Sequence, residues 1–462
     1  MHSRRTLLAL GLATTAMLTA CATAPSPSYT ERPPIVFMHG NGDSAALWQT
    51  TLWRFESNGW PRDRLFAPDQ PFPLARDDDG VAQPGRSSTA ESMTFLKAEV
   101  ERVLKATGAP RVVLIGNSRG GNTIRNYVQN GGGDQVVSHV VLSGNPAHGI
   151  WAVKGLREGS EFSGLSRFIQ QLNTPKNAAG DEVTPGVKWL TIRSDNNDKY
   201  AQPDGVWIGA KGTATNIGFD GPALKGATNI ALPRADHRET SFSPAAFDAT
   251  WRFLTGEAPR TLQPVAESTV TLSGRVTGLG LDPLNPASGA FVNNLPLVGA
   301  RLAVYAVDAA TGARRGQAAW EQSIGADGRW GPFAGQATTP YEFVLSAPGY
   351  ATTHIYRSPF PRSSAVVQLR PERFAEADRD AKALVIFTRP RGYFDAKRDT
   401  IRFDGQRELP GVPPSGAGVS SSKLKLASDV PRSVAAEFNA ERVAGQSWPA
   451  AQGHVSVLEL TY

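Results

Sequence analysis

From Ile35 to about Leu254, short apolar runs rich in β-branched residues alternate with stretches of helical spacing. Pro34-Ile-Val-Phe-Met38, Arg111-Val-Val-Leu-Ile115, Val136 to Leu142 and Val187 to Ile192 are apolar almost throughout, the pattern of strands buried on both faces. Between them, Ser88-x-x-Glu91 forms a capping box that opens a helix with Leu96, Val100, Val103 and Leu104 on one face and Gly108 after it. A last helix starts at the Ser243 cap and Pro244, carries Phe247, Trp251 and Leu254 on one face, and stops at Gly256. Strands alternating with helices predict an α/β class: a doubly wound, mostly parallel sheet covered on both faces.

Near Glu257-Ala-Pro-Arg260 the pattern changes and helical periodicity nearly vanishes. Val270 to Val276, Gly299 to Tyr305, Gly325 to Trp330 and Tyr341 to Tyr350 predict strands broken by turns. A further β-rich stretch from about 373 includes Ala383 to Phe387, Thr400 to Phe403 and His454 to Tyr462; Pro410 to Ser422 reads as a loop. The expected division is therefore an α/β domain over 33–262, an all-β sandwich over 267–370, and a further β-rich domain or extension over 373–462. Each β-stretch has its own alternating apolar pattern, so the part before residue 262 is expected to be separable from the rest.

The N-terminus reads as an address. Arg4-Arg5 precedes an apolar stretch, Thr6 to Ala20, that is too short to span a bilayer and has the form of an export signal over 1–20. Ser3-Arg4-Arg5-Thr6-Leu7-Leu8 resembles a twin-arginine signal, and Leu18-Thr19-Ala20-Cys21 resembles a bacterial lipobox. That resemblance implies cleavage before Cys21, lipidation of its sulfur and a tether over 21–32, with the protein anchored in the cell envelope at the outer membrane or periplasmic face. The alternative is an ordinary cleaved signal with Cys21 incidental.

Composition narrows the function. One cysteine in 462 residues rules out an internal disulfide framework and any cysteine-cluster metal site. The net charge of +6 comes from sparse charges (19% of residues), with no basic block, so nucleic acid is not an expected partner. Asp77-Asp78-Asp79 lacks the spacing of a Ca²⁺ loop and reads as a solvated turn. No metal or other cofactor is implied.

The strongest chemical signal is Gly116-Asn117-Ser118-Arg119-Gly120, directly after one predicted strand and before a helix with Ile124, Tyr127 and Val128 on one face. Strand, G-x-S-x-G and helix are the context of a nucleophile elbow. The tight turn lifts the Ser118 hydroxyl above the sheet, and the glycines at 116 and 120 avoid a collision where strand and helix cross. The second signal is His39-Gly40-Asn41-Gly42, directly after the strand ending at Met38.

On these motifs, residues ~33–256 resemble the bacterial lipase and esterase branch of the α/β-hydrolases. Val140-Val-Leu-Ser-Gly-Asn145 and Ser163 to Asn173 add a likeness to class-2 type lipases. Residues 267–370 resemble the carboxypeptidase-regulatory or transthyretin-like β-sandwich, through segments such as Asp327-Gly-Arg-Trp330 and Ala347-Pro-Gly-Tyr350. The hydrolase resemblance implies Ser118 as nucleophile. It implies an oxyanion hole from the backbone N–H groups of Asn41 and Arg119, with His39 structural. The family order of Ser, acid, His leaves His237 as base, in the loop before the last helix. The acid belongs to the loop after Ile192: Asp198-Lys-Tyr-Ala-Gln-Pro203 fits best, with Asp195 and Asp204 as alternatives. Arg119 replaces the apolar residue common in lipases, and its side chain either shapes the pocket or is solvated. Ile150 to Leu172 is the candidate cover, and His148 reads as a loop histidine near the rim. The implied activity is hydrolysis of carboxylic esters, lipids or aliphatic polyesters, without a cofactor. The rivals are a peptidase or thioesterase on the same triad, or a surface-binding protein on an inactive scaffold.

Overall fold

The computed structural model describes residues 32–195, 197–201, 206–413 and 418–462. The stretch read as an export signal (1–20), Cys21 and Asp204 lie outside them. Among the described residues before 240 there are eight strands: β1 (Ile35–Met38), β2 (Leu65–Phe66), β3 (Leu74–Ala75), β4 (Arg86–Ser87), β5 (Val112–Asn117), β6 (Val137–Ser143), β7 (Lys188–Ser194) and β8 (Thr228–Leu232). Six form one sheet in the order β2-β1-β5-β6-β7-β8, every pair parallel. The four apolar runs read from the sequence are β1, β5, β6 and β7. The pair β3 and β4 lies apart from this sheet.

Among the described residues six α-helices accompany these strands: α1 (Gln49–Ser57), α2 (Thr89–Thr107), α3 (Arg119–Asn130) and α4 (Arg167–Leu172) between them, and α5 (Glu239–Phe242) and α6 (Pro244–Thr255) after β8. The Ser88–Glu91 box caps α2 reciprocally, and Gly108 ends it in the left-handed conformation, φ 65°. Asp79 accepts from the backbone and hydroxyl of Thr89, both at 2.7 Å, so part of the acidic triplet holds the start of α2. Leu96, Val100 and Val103 of α2 join Ile124, Tyr127 and Val128 of α3 on one face of the sheet. Phe55 of α1 and Phe247 and Trp251 of α6 cover the other face, over Phe37, Val113, Ile115 and Leu190. Both faces are thus buried, which is why these strands are apolar in successive positions.

Beyond residue 260 the chain is mostly β. A seven-stranded sheet runs in the order Trp320–Ser323, Arg301–Ala306, Tyr341–Ser346, Thr352–Arg357, His454–Glu459, Ala383–Thr388, Ser421–Leu426. Two three-stranded sheets accompany it. The C-terminal strand His454–Glu459 pairs in parallel with Thr352–Arg357 on one side and Ala383–Thr388 on the other. The stretches before and after residue 373 therefore share one sheet.

The α/β domain and the β-region also share a core, contrary to the separability expected from the pattern. Trp53 of α1 is 1% exposed and packs in the β-region's cluster with Phe360, Val367 and Leu369. Its Nε1 donates to Ser363 O at 2.9 Å. Truncating a buried tryptophan typically costs about 3–5 kcal/mol, so this is an interface of core quality. Asn294 Nδ2, from the β-region, donates to Asp43 O at 2.8 Å and Gln70 O at 3.1 Å, next to the loop after β1. Among the described residues no helix is long and apolar enough to cross a membrane.

Candidate active site

Ser118 stands between the end of β5 and the start of α3, with φ 53° and ψ −121°. A non-glycine residue at positive φ is strained, and such strain persists only where its surroundings enforce it. Here the Ser118 N–H donates to Ser143 O at 2.8 Å, and Asn145 Nδ2 donates to Ser118 O at 2.9 Å. The crossing of strand and helix is tight. A Cβ on Gly120 would lie 2.5 Å from His39 O and 2.6 Å from Met38 O, and one on Gly116 would lie 2.9 Å from Gly120 O. Both glycines are there because backbone occupies the space a side chain needs.

His237 lies just before α5 and is 5% exposed. Its Nδ1 is 2.6 Å from Asp198 Oδ2. Asp198 is itself buried, and its Oδ1 accepts the Tyr200 N–H at 2.9 Å. The Tyr200 ring meets the imidazole edge-on, centroids 5.0 Å apart. The loop bearing His237 is tied to the elbow by Asn117, whose Nδ2 donates to Ser241 Oγ at 2.7 Å and reaches His237 O at 3.4 Å. A Cβ on Gly144, the residue after β6, would lie 3.4 Å from His237 Cε1, so the ring lies against the end of β6, next to Ser143, whose carbonyl accepts the Ser118 N–H. Among the described residues no hydrogen bond joins Ser118 Oγ to the imidazole; such bonds are often long until substrate arrives.

Of the other acids, Asp195 ties its own loop to the loop that carries His237. It accepts from Asn197 N at 2.9 Å and Arg234 N at 2.8 Å and has no bond to His237. His39 is fixed by its neighbours: Nδ1 lies 3.0 Å from Gly40 O, and Nε2 accepts from Gln70 N at 3.1 Å. This arrangement requires the Nδ1–H tautomer, and it holds the loop that carries Asn41. Asn41 Oδ1 accepts from Ala75 N at 2.7 Å, and its own N–H has no partner among the described residues. Arg119 is the first residue of α3, where backbone N–H groups lack an intrahelical acceptor. His148 pairs with Glu182, 3.1 Å away.

The Arg119 side chain is neither solvated nor a free pocket wall. It is 3% exposed and grips Glu161 with two contacts, 2.6 and 3.0 Å, while donating to Ser87 O and Pro73 O. Burial pushes the Glu161 carboxyl above the usual range, and Arg119 pulls it back. The pair pins segment 150–172 to the elbow. Breaking a buried pair from one side leaves a bare charge, so Arg119→Met is expected to cost about 3–5 kcal/mol, measured by denaturant unfolding. Replacing both partners, as Arg119→Met with Glu161→Leu, should restore most of that stability.

Over the site, Ile150, Trp151 and Ile208 form a small apolar cluster with Phe162, Tyr200 and Ile217. Nothing local in the sequence marks Glu161 or Tyr200 as site residues, because they act through partners 42 and 37 positions away; Asn117 lies in the elbow motif, but its partner Ser241 is 124 positions away.

The family models fit this architecture. Residues 33–178 match the family model described as alpha/beta hydrolase fold. Residues 268–374, likened above to a transthyretin-like sandwich, match the lipase C-terminal domain. Among solved structures, lipase BlEst2 of Bacillus licheniformis in its propeptide form is similar at 14% identity and TM-score 0.36, covering 92% of this chain and 93% of that one. The mature form is similar over 50% of this chain and 94% of that one, at 19% identity and TM-score 0.35. Aspergillus fumigatus lipase B is similar at 14% identity and TM-score 0.35, over 52% of this chain and 57% of that one. The chain is thus an α/β domain with a parallel sheet, matched over residues 33–178 by the alpha/beta hydrolase fold, followed by a C-terminal region of mostly β-sheets.

Proposed function

We propose that the protein is an exported, lipid-anchored serine hydrolase of carboxylic esters. The observation that carries the reading is the buried Asp198–His237 pair beside a strained elbow serine. Ser118 Oγ attacks the ester carbonyl while His237 Nε2 takes its proton. Asp198 holds the imidazole with Nδ1 protonated and stabilises the imidazolium. The carbonyl oxygen, now negative, accepts from the backbone N–H groups of Asn41 and Arg119. His237 then protonates the leaving alcohol, and an acyl-Ser118 intermediate forms. A water activated by His237 cleaves it and frees the acid.

The apolar cluster around Trp151 and Tyr200 abuts the imidazole and supports an apolar acyl group, as in lipids or aliphatic polyesters. Export and anchoring rest on Arg4-Arg5 and on Leu18 to Cys21.

The test is pre-steady-state turnover of p-nitrophenyl butyrate by purified residues 22–462. One equivalent of nitrophenol is expected to appear as a burst, and a fluorophosphonate should label Ser118 with one-to-one stoichiometry. Labelling elsewhere, or turnover that the label does not block, would overturn the reading.

A further inference from the structure

We propose that the C-terminal β-region supplies the platform that sets the His237–Asp198 geometry, with Arg389 as its positioning residue. The inference rests on the ester-hydrolase reading above. It concerns a residue 152 positions after the base, in the part of the chain that the chemistry itself does not use.

The base loop is held on both sides of His237 by one buried cation. Arg389 Nη1 lies 3.1 Å from Asp236 Oδ2, and its Nη2 lies 2.7 Å from Glu239 Oε1. Asp236 and Glu239 flank the base at one residue before and two after. Arg389 is 4% exposed, and its position is fixed in turn: Nη1 also donates to Tyr393 O at 2.7 Å, and its guanidinium lies over the Phe438 ring at 4.3 Å. The Tyr393 N–H donates to Asp236 Oδ2 at 2.8 Å. Arg398 adds a second cation, donating to Glu239 Oε1 at 2.9 Å and to Arg234 O at 2.7 Å. Arg238, the residue after the base, donates to Pro390 O at 3.0 Å and lies over the Tyr393 ring.

The same segment touches the acid loop. Lys199, adjacent to Asp198, places its ammonium over the Tyr393 ring at 5.0 Å. Residues 389–398 therefore meet both loops of the acid–base pair, which in the α/β domain hang from different strands, β7 and β8. A planar guanidinium reaching two carboxylates at fixed angles locates a loop better than a point charge does. The need for such precision is general: a displacement of about 1 Å in a catalytic group costs about 100-fold in rate.

The variants are made in the full chain. Arg389→Met is expected to lower kcat on p-nitrophenyl butyrate by about 100-fold with KM little changed, measured where circular dichroism shows the native state. Arg389→Lys keeps the charge without the fork and should fall in between; it also serves if Arg389→Met does not fold. The downfield proton resonance of His237 Nδ1–H should broaden or shift in both. Trp53→Phe is the control, since it removes the Ser363 bond across the same interface without touching the base loop. It should lower Tm and leave kcat and the resonance unchanged. If the Arg389 variants lose only Tm, with kcat and resonance as in the parent, Arg389 is glue and the proposal fails. If Trp53→Phe loses kcat equally, domain docking in general is responsible and the proposal fails as well. Ser118→Ala in the same assay separates the two levels: a silent Ser118→Ala beside a fully active Arg389→Met sinks the platform alone, whereas an active Ser118→Ala sinks the ester-hydrolase reading.

Discussion

Ser118→Ala is expected to reduce kcat for ester hydrolysis by about 10⁶ while leaving the fold intact. Stability should move little, because the Ser118 hydroxyl makes no hydrogen bond among the described residues and the backbone bonds at Ser143 O and Asn145 remain. Alanine occupies φ 53° at much the same cost as serine, since both carry a Cβ. The measurement is steady-state turnover with p-nitrophenyl butyrate, paired with thermal unfolding. The remaining backbone N–H groups would still favour the tetrahedral oxygen, which leaves a small residual rate above water. Residual turnover above about 1% of the parent would show that another group is the nucleophile.

What the sequence made legible was local. The capping box at Ser88 and Glu91, the Ser243-Pro244 start of α6 and its Gly256 stop are decided within one or two helical turns, and the structure forms each of them. The four buried strands were legible because a sheet covered on both faces needs apolar residues at successive positions. The elbow was legible because strand, tight turn and helix are contiguous. The strands β2, β3 and β4 were not, since two residues carry no period.

Contacts made across long loops were also hidden. Trp53 lies in α1 of the α/β domain, and only the tertiary structure reveals that it belongs to the β-region's core. Arg119 gave two readings because nothing near it in sequence announces Glu161. The parallel strand His454–Glu459 lies between strands that precede it by about 70 and 100 residues, so alternation alone could not join the two β-stretches. The platform under His237 has the same character: its arginines look like solvated charges until Asp236 and Glu239 are placed against them.

The acid loop offered three aspartates within ten positions, and its hydrogen bonds give their substitutions different expected outcomes. Asp198→Asn is expected to lower kcat by about 10⁴ with the fold preserved. The reason lies in two bonds that the carboxylate accepts, one from His237 Nδ1 at 2.6 Å and one from Tyr200 N at 2.9 Å. An amide has one acceptor oxygen and one donor nitrogen. Backbone N–H of Tyr200 can only donate, so it claims the amide oxygen. The amide NH₂ then faces His237 and requires Nδ1 to be the acceptor, which moves the ring proton to Nε2. An imidazole in that tautomer presents a donor toward Ser118 and has no lone pair there to take the hydroxyl proton. The opposite flip sets two donors against each other at Tyr200. Asp195→Asn should be far milder, because Asp195 orders Asn197 and Arg234 and leaves the imidazole's tautomer alone. The check is kcat for both variants on p-nitrophenyl butyrate, with the Nδ1 proton resonance of His237 recorded in each. Loss of the resonance and of turnover in Asp198→Asn alone is the expected result. A greater loss in Asp195→Asn would shift the orienting carboxylate three residues toward β7.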